Sequence, residues 1–154
     1  MYGAIEREKP DAVIHCGDCY EDAVELRRAY PSLTVYAVLG NNDWGSDAPR
    51  SATVRCAGVP IYFTHGHREW VSRRSPGQVP LHAEQQGCRV ALYGHTHRAY
   101  RCQTGPVLVI NPGSISLPRS GPASYCRLIL QNGCILGADI LDTAGQAVDV
   151  SLPD

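Results

Sequence analysis

The sequence predicts an α/β domain. Three observations point to it. The chain opens as strand, helix, strand, with short apolar runs on either side of an amphipathic segment. Five apolar runs, VIHCGD, VYAVLGNND, IYFTHGH, VALYGHTH and VLVINPGS, then pass abruptly into small and polar residues. In an open α/β sheet the loops beyond the carboxyl ends of the strands gather on one edge, where such residues can meet. Finally, the 154 residues are 44% hydrophobic and 19% charged, an ordinary globular composition. A chain of that length buries roughly 70% of the surface its extended form exposes. No internal repeat, low-complexity segment or linker divides it, so residues 1–154 read as a single domain.

The elements follow in order. Residues 4–9, AIEREK, read as the end of a helix stopped by Pro10. Residues 12–15 form a short buried strand ending at Cys16-Gly17-Asp18. Ala23, Val24 and Leu26 lie among charges and predict an amphipathic helix over 21–29, closed before Pro31. Residues 34–39 are strand-like and end at Gly40-Asn41-Asn42-Asp43. Residues 53–56 and 59–64 predict a hairpin about Ala57-Gly58, its second strand running into His65-Gly66-His67. Residues 70–80 have no period and read as loop; 81–86 suit a short helix, with Gly87 where the chain turns. Residues 89–93 form the strand that carries Gly94-His95-Thr96-His97. Residues 107–110 run into Asn111-Pro112-Gly113-Ser114. Residues 125–130 and 134–140 flank Asn132-Gly133, a strong hairpin signal.

Composition also limits function. The net charge of -1 gives no footprint for nucleic acid; Arg68 with Arg73-Arg74 is the one basic cluster, and reads as a solvated loop. A small phosphorylated substrate is compatible, because a metal ion can supply the local positive charge. No run approaches the ~20 apolar residues of a membrane span. The N-terminus lacks the basic and apolar regions of a signal peptide. The seven cysteines are odd in number and several lie inside apolar runs, which suits reduced thiols in a cytoplasmic protein. Cys16-Gly17-Asp18-Cys19 has the form of a redox pair or half a zinc knuckle, but no second Cys-x-x-Cys follows.

The strand ends bring Asp18, Asn41, His65, His95 and His97 toward one edge. These N and O donors of borderline softness suit Mn, Fe, Ni, Co or Zn better than Ca or Cu(I). Gly17, Gly40, Gly66 and Gly94 let the backbone turn sharply beside them. Asp18 is the strong candidate for a carboxylate shared between two metals; Asp43 and Asp47 serve in principle but sit deeper in a loop. Each residue has a plainer reading. A histidine at a strand end is commonly a surface group, Gly-Asn-Asn-Asp and Asn-Pro-Gly are ordinary turns, and Asp18 can cap the next helix. His15 and His67 can orient ligands or merely fill polar space. The plain reading weakens because five strands end this way together.

Taken in order, Gly17-Asp18, Gly40-Asn41-Asn42-Asp43, Thr64-His65-Gly66-His67, Gly94-His95-Thr96-His97 and Asn111-Pro112-Gly113-Ser114 resemble the calcineurin-like metallophosphoesterases, most closely their small bacterial and archaeal phosphodiesterase branch. The resemblance covers nearly the whole chain. It implies a four-layer α/β/β/α sandwich, two mixed β-sheets flanked by helices, holding two divalent transition metals. Asp18 then stands where the bridging carboxylate stands, Asn41, His65 and His95 complete one metal site, and His97 belongs to the other. The implied activity is hydrolysis of a P–O ester by metal-activated water. His67 would hold nonbridging oxygens or protonate the leaving group, and Asn42 and Arg119 would contact substrate. Specificity would lie in loops 44–50 and 70–80 and around Pro118-Arg119, and Trp44 and Trp70 either stack on a base or cover an apolar edge.

Two departures stand out. Larger relatives carry a histidine where this chain has Asn42, which cannot act as a general acid. The family also opens with a strand ending in Asp-x-His, and this sequence has none. The expected fold therefore lacks its N-terminal strand, through truncation, through reduction to a one-metal site, or with His15 as substitute ligand. An exposed core edge would need covering, and homodimerisation is one route. The alternative function is a binding or scaffold module of weak or no activity, for which a retromer subunit of this superfamily is a precedent.

Overall fold

The computed structural model describes residues 1–150. Its elements are α1 (Tyr2–Glu8), β1 (Ala12–His15), α2 (Tyr20–Ala29), β2 (Thr34–Ala37), β3 (Ser51–Cys56), β4 (Val59–Thr64), α3 (Val79–Gln85), β5 (Val90–Tyr93), β6 (Ala99–Thr104), β7 (Val107–Pro112), β8 (Ser124–Gln131) and β9 (Cys134–Asp142). A mixed five-stranded sheet runs β3-β4-β5-β7-β6; β1 and β2 form a parallel pair, and β8 and β9 an antiparallel one.

Three apolar clusters define four layers. Ile5 of α1 and Ala23 and Leu26 of α2 pack on Val35 and Ala37 of β2. The opposite face of the parallel pair, through Ile14 and Tyr36, joins Cys126 and Leu128 of β8 against Ile61, Phe63, Val90, Leu92 and Ile110 of the five-stranded sheet. The far face of that sheet presents Tyr62, Ala91, Tyr93, Val107 and Val109 to Val79 and Ala83 of α3. The central strands β4, β5 and β7 are thus buried on both faces. Their unbroken apolar runs follow from that, since alternate side chains enter different cores. The expected α/β/β/α sandwich is present.

The hairpin turns lie as expected. Ala57-Gly58 and Asn132-Gly133 take left-handed φ at both positions, and Gly133 N donates to Ala57 O, so the two turns touch. Several expectations need correction. The strand expected over 34–39 ends at Ala37: buried Val38 still donates to His15 O of β1, but buried Leu39 donates to Pro49 O, outside the pair. Strand β6, AYRCQT, was not expected, because only its β7-facing edge is paired and its outer face is polar. Helix α3 begins two residues early, with proline in its first turn. All four residues of β1 are only half-buried, against the buried strand expected, because β1 pairs with β2 alone among the described residues.

Candidate metal centre

Three strand ends build the centre. β1 leads to Asp18, β4 to His65 and β5 to His95. One donor atom from each lies within 4.8 Å of the others. His65 is 1% exposed, and its Nε2 stands 3.1 Å from Asp18 Oδ2. That approach lacks hydrogen-bond geometry, and Nε2 has no partner among the described residues. A buried imidazole nitrogen without a partner, beside a carboxylate, suits a cation held between them. His97 Nε2 lies 3.9 Å from the same carboxylate oxygen. The ring centroid of His65 is 5.0 Å from that of His95 and 5.1 Å from that of His67.

The backbone pays for this convergence in strain. Asp18, His95 and His97 all have left-handed φ, of 62°, 64° and 55°, which non-glycine residues rarely adopt. The glycines beside them divide the work differently than expected. Gly17 and Gly66 do take positive φ. Gly40 and Gly94 do not; Gly40 matters for space, since a Cβ there would overlap the Asp18 carboxylate and amide.

Hydrogen bonds set the histidine tautomers. His97 Nδ1 donates to Leu117 O at 2.9 Å; a carbonyl only accepts, so the proton sits on Nδ1 and Nε2 offers a lone pair toward Asp18. His65 Nδ1 and His67 Nδ1 are 3.0 Å apart, so one carries the shared proton. If His65 offers Nε2 to a cation, it donates through Nδ1, and neutral His67 then keeps its own proton on Nε2. Burial pushes His65 down to about 4, against the opposing pull of Asp18 and with help from His95 and His67, so it is neutral at pH 7. Burial also lowers His67, with Arg68, His95 and Arg50 adding to the effect while Glu69 opposes it.

Two residues outside the cluster hold it in place. Asp43, weighed from sequence as an alternative carboxylate ligand, is otherwise engaged. Its oxygens accept from the amides of Asp18, Cys19, Tyr20 and Gly40 at 2.7–2.9 Å. Burial raises its pKa, but these four bonds outweigh burial and leave it below the usual carboxylate range. Asp43 thereby caps α2 from a different loop and pins the Asp18 backbone. Asn111 is fully buried. Its Nδ2 donates to Gly94 O and Thr96 Oγ1, and its Oδ1 accepts from Gly113 N. The Asn-Pro-Gly turn is therefore a brace for the His95–His97 loop. Only an asparagine at a strand end beyond an apolar run hinted at this.

The remaining candidates sit as follows. Asn41 is exposed and its Nδ2 donates to Asn42 Oδ1; Asn42 N donates to Asp18 Oδ1 at 3.1 Å. Arg119 N donates to His97 O, with the side chain exposed. His15 Nδ1 accepts from Gly17 N, which engages it in the turn before Asp18. Burial pushes the Cys16 thiol up to about 12 and also raises Cys19, where Asp22, Asp43 and Asp18 add to it. Both stay protonated at neutral pH, which suits neither a redox pair nor a thiolate ligand.

The chain matches the calcineurin-like phosphoesterase superfamily domain over residues 1–133. It is 35% identical over 141 residues to the probable metallophosphoesterase YsnB of Bacillus subtilis, covering 90% of this chain and 79% of that protein. A conserved uncharacterized protein of Streptococcus pneumoniae, described as a predicted phosphoesterase, superposes with a TM-score of 0.73 at 28% identity, over 94% of this chain and 82% of that one. The phosphodiesterase YfcE of Escherichia coli is 38% identical over 69 residues, which is 44% of this chain and 33% of YfcE. A solved YfcE structure shares the fold with a TM-score of 0.64 at 18% identity, over 98% of this chain and 88% of that one.

Proposed function

The chain belongs to the calcineurin-like phosphoesterase superfamily, and we propose that it is a metal-dependent phosphoesterase whose substrates are phosphodiesters. The observation that carries this reading is the unpartnered Nε2 of buried His65 facing Asp18 Oδ2, with His95 completing the cluster. Asp18, His65 and His95 would hold a divalent transition ion, with Asn41 as a further oxygen donor and His97 serving a second ion on the other side of Asp18. A bound ion would supply Lewis acidity toward the phosphoryl oxygens and a nucleophilic water at neutral pH. Manganese, iron, cobalt, nickel and zinc all suit this donor set.

The chain's own groups do the rest. Asp18 contributes the negative charge, while His65 remains a neutral donor because burial holds it so. His67, with its proton on Nε2, can hydrogen-bond a nonbridging oxygen; protonating the leaving oxygen would take its imidazolium form, which burial disfavours. Asn42 and the exposed Arg119 would contact the phosphate flank. A diester suits the site because it brings one negative charge and Asn42 offers no proton. YfcE, a named phosphodiesterase, supports the same reading by its likeness over 69 residues.

The test is hydrolysis by the Mn²⁺-loaded chain. Bis(p-nitrophenyl) phosphate should be cleaved in preference to p-nitrophenyl phosphate, and His67→Ala should lower kcat about 10²–10³-fold at saturating Mn²⁺. A metal-loaded chain inert toward both esters would sink the reading and favour a binding module on the same fold.

A further inference from the structure

Beside the His95–His97 loop lies a groove of about 180 Å³. Thr96 lines it, but Asp18, His65, His95 and His97 do not, so the groove is a separate site that touches the loop of the metal centre. Distant parts of the chain enclose it. Ser72 and Arg73 come from the loop after His67, Arg98 from the approach to β6, and Ser120 from the loop whose Leu117 O accepts from His97 Nδ1. These walls are tied down. Ser72 N donates to Ser75 O at 2.8 Å, Arg98 and Ser120 form a short parallel bridge, and beside them Arg119 N donates to His97 O at 2.9 Å. Tyr93, 1% exposed, and Tyr100 close the groove from below, their rings 6.4 Å apart at 63°.

The groove offers hydrogen-bond donors. Thr96 Oγ1 accepts from Asn111 Nδ2 at 3.0 Å, and Ser72 Oγ accepts from Arg74 N at 3.3 Å. Each hydroxyl oxygen is engaged as an acceptor, which leaves its proton to donate. Arg73 and Arg98 add guanidinium groups, which only donate. Neither makes an ion pair among the described residues. Arg73 is exposed, but Arg98 is half-buried. A guanidinium drawn part-way out of water without a counter-charge is costly until an anion meets it. Asp149 sets one carboxylate at the groove against these two cations, so the lining carries a net positive charge.

Size limits the ligand. A volume of about 180 Å³ equals roughly six waters at about 30 Å³ each. It is below the ~300 Å³ at which pockets for whole drug-sized ligands begin. A compact oxyanion fits, and a larger molecule would enter by one end only. Guanidinium forks and hydroxyl donors facing one small space match the oxygens of a phosphate group.

We propose that this groove is a binding site for a phosphate dianion, free or as the head of a phosphomonoester, distinct from the metal centre and built on Arg73, Arg98, Ser72 and Thr96. Through Thr96 the bound anion touches the loop that carries His95 and His97. The site needs no metal, so it stands or falls apart from the phosphoesterase reading.

The experiment is isothermal titration of inorganic phosphate into the chelator-stripped full chain at about pH 8, where phosphate is mostly a dianion. Saturable binding with a Kd under about 1 mM is expected. Dimethyl phosphate, with a single charge, should bind at least about tenfold more weakly. Arg98→Gln and Arg73→Gln should each weaken the phosphate Kd about 10- to 100-fold, the range for losing a hydrogen bond to a charged group. Arg73 is exposed, so its variant keeps the test open even where Arg98→Gln disturbs folding. Arg74→Gln makes the same charge change in the same loop outside the groove, and should leave the Kd within about twofold. Methyl phosphate bound as tightly as phosphate would assign the groove to the head of a phosphomonoester, and much weaker binding would assign it to the free ion. No saturable binding, dimethyl phosphate bound as tightly as phosphate, an unchanged Kd in Arg73→Gln and Arg98→Gln, or an equal loss in Arg74→Gln would each overturn the proposal.

Discussion

Asp43 shows how a single side chain that touches no candidate ligand atom can set the geometry of a centre. Its four amide bonds tie the Gly40 turn to the start of α2, and one of them fixes Asp18 in its left-handed conformation. Asp43→Ala leaves those amides without their acceptor, and a loss of about 2–3 kcal/mol in urea unfolding is expected. The folded chain favours the charged form of Asp43, so its contribution is complete above the ordinary carboxylate range. That contribution drains as pH falls through this range to the lower folded value, and the Asp43→Ala difference should shrink accordingly. His65 acts in a higher window. Its folded pKa of about 4 lies under the ordinary 6.5, so the unfolded chain takes up the proton first. The metal-free chain should therefore lose stability between pH 6.5 and 4, and His65→Phe should flatten that slope in urea titrations at stepped pH. From sequence, Asp43 was legible as a turn residue and an alternative carboxylate ligand, not as an acceptor for four amides. What it bonds to is a neighbouring loop, which periodicity does not report.

At the level of elements, apolar runs passing into candidate ligands were readable, and the ends of β1, β4 and β5 bring three of them together. Strands buried on both faces have little alternation, but their lengths and abrupt polar ends marked them. Strand β6 escaped because an edge strand with a polar outer face looks like loop. The end of β7 carries the brace for the centre. Asn111 links Gly94, Thr96 and Gly113, so it couples the β5 loop to the β7 turn. Asn111→Ala should weaken Mn²⁺ affinity about 10–100-fold, as loss of a group that orients ligands does. Isothermal titration would read this, and an unchanged affinity would mean the His95–His97 loop holds its shape unaided.

Across the whole molecule, the two β-layers share one apolar core but not one ladder among the described residues. The β8–β9 hairpin is joined to α1 by side chains: Glu8 accepts from Tyr125 and Arg127, and Arg7 donates to Thr143 O. Glu8→Ala should speed amide exchange in β8 several-fold while leaving β4 and β5 slow, because those lie in the central sheet. The sandwich itself was foreseen through the resemblance of five motifs. Composition and periodicity alone reached only an α/β layer, because which faces pack together is decided by contacts distant in sequence. The central claim is that Asp18, His65 and His95 hold a catalytic metal. The most direct measurement is the hydrolysis rate of bis(p-nitrophenyl) phosphate by chelator-stripped protein, before and after Mn²⁺ is restored, beside Asp18→Asn. No rate when stripped, recovery with Mn²⁺, and a loss of about 10³-fold or more in Asp18→Asn are predicted. A rate that survives stripping, or an Asp18→Asn chain as active as the parent, would contradict the account.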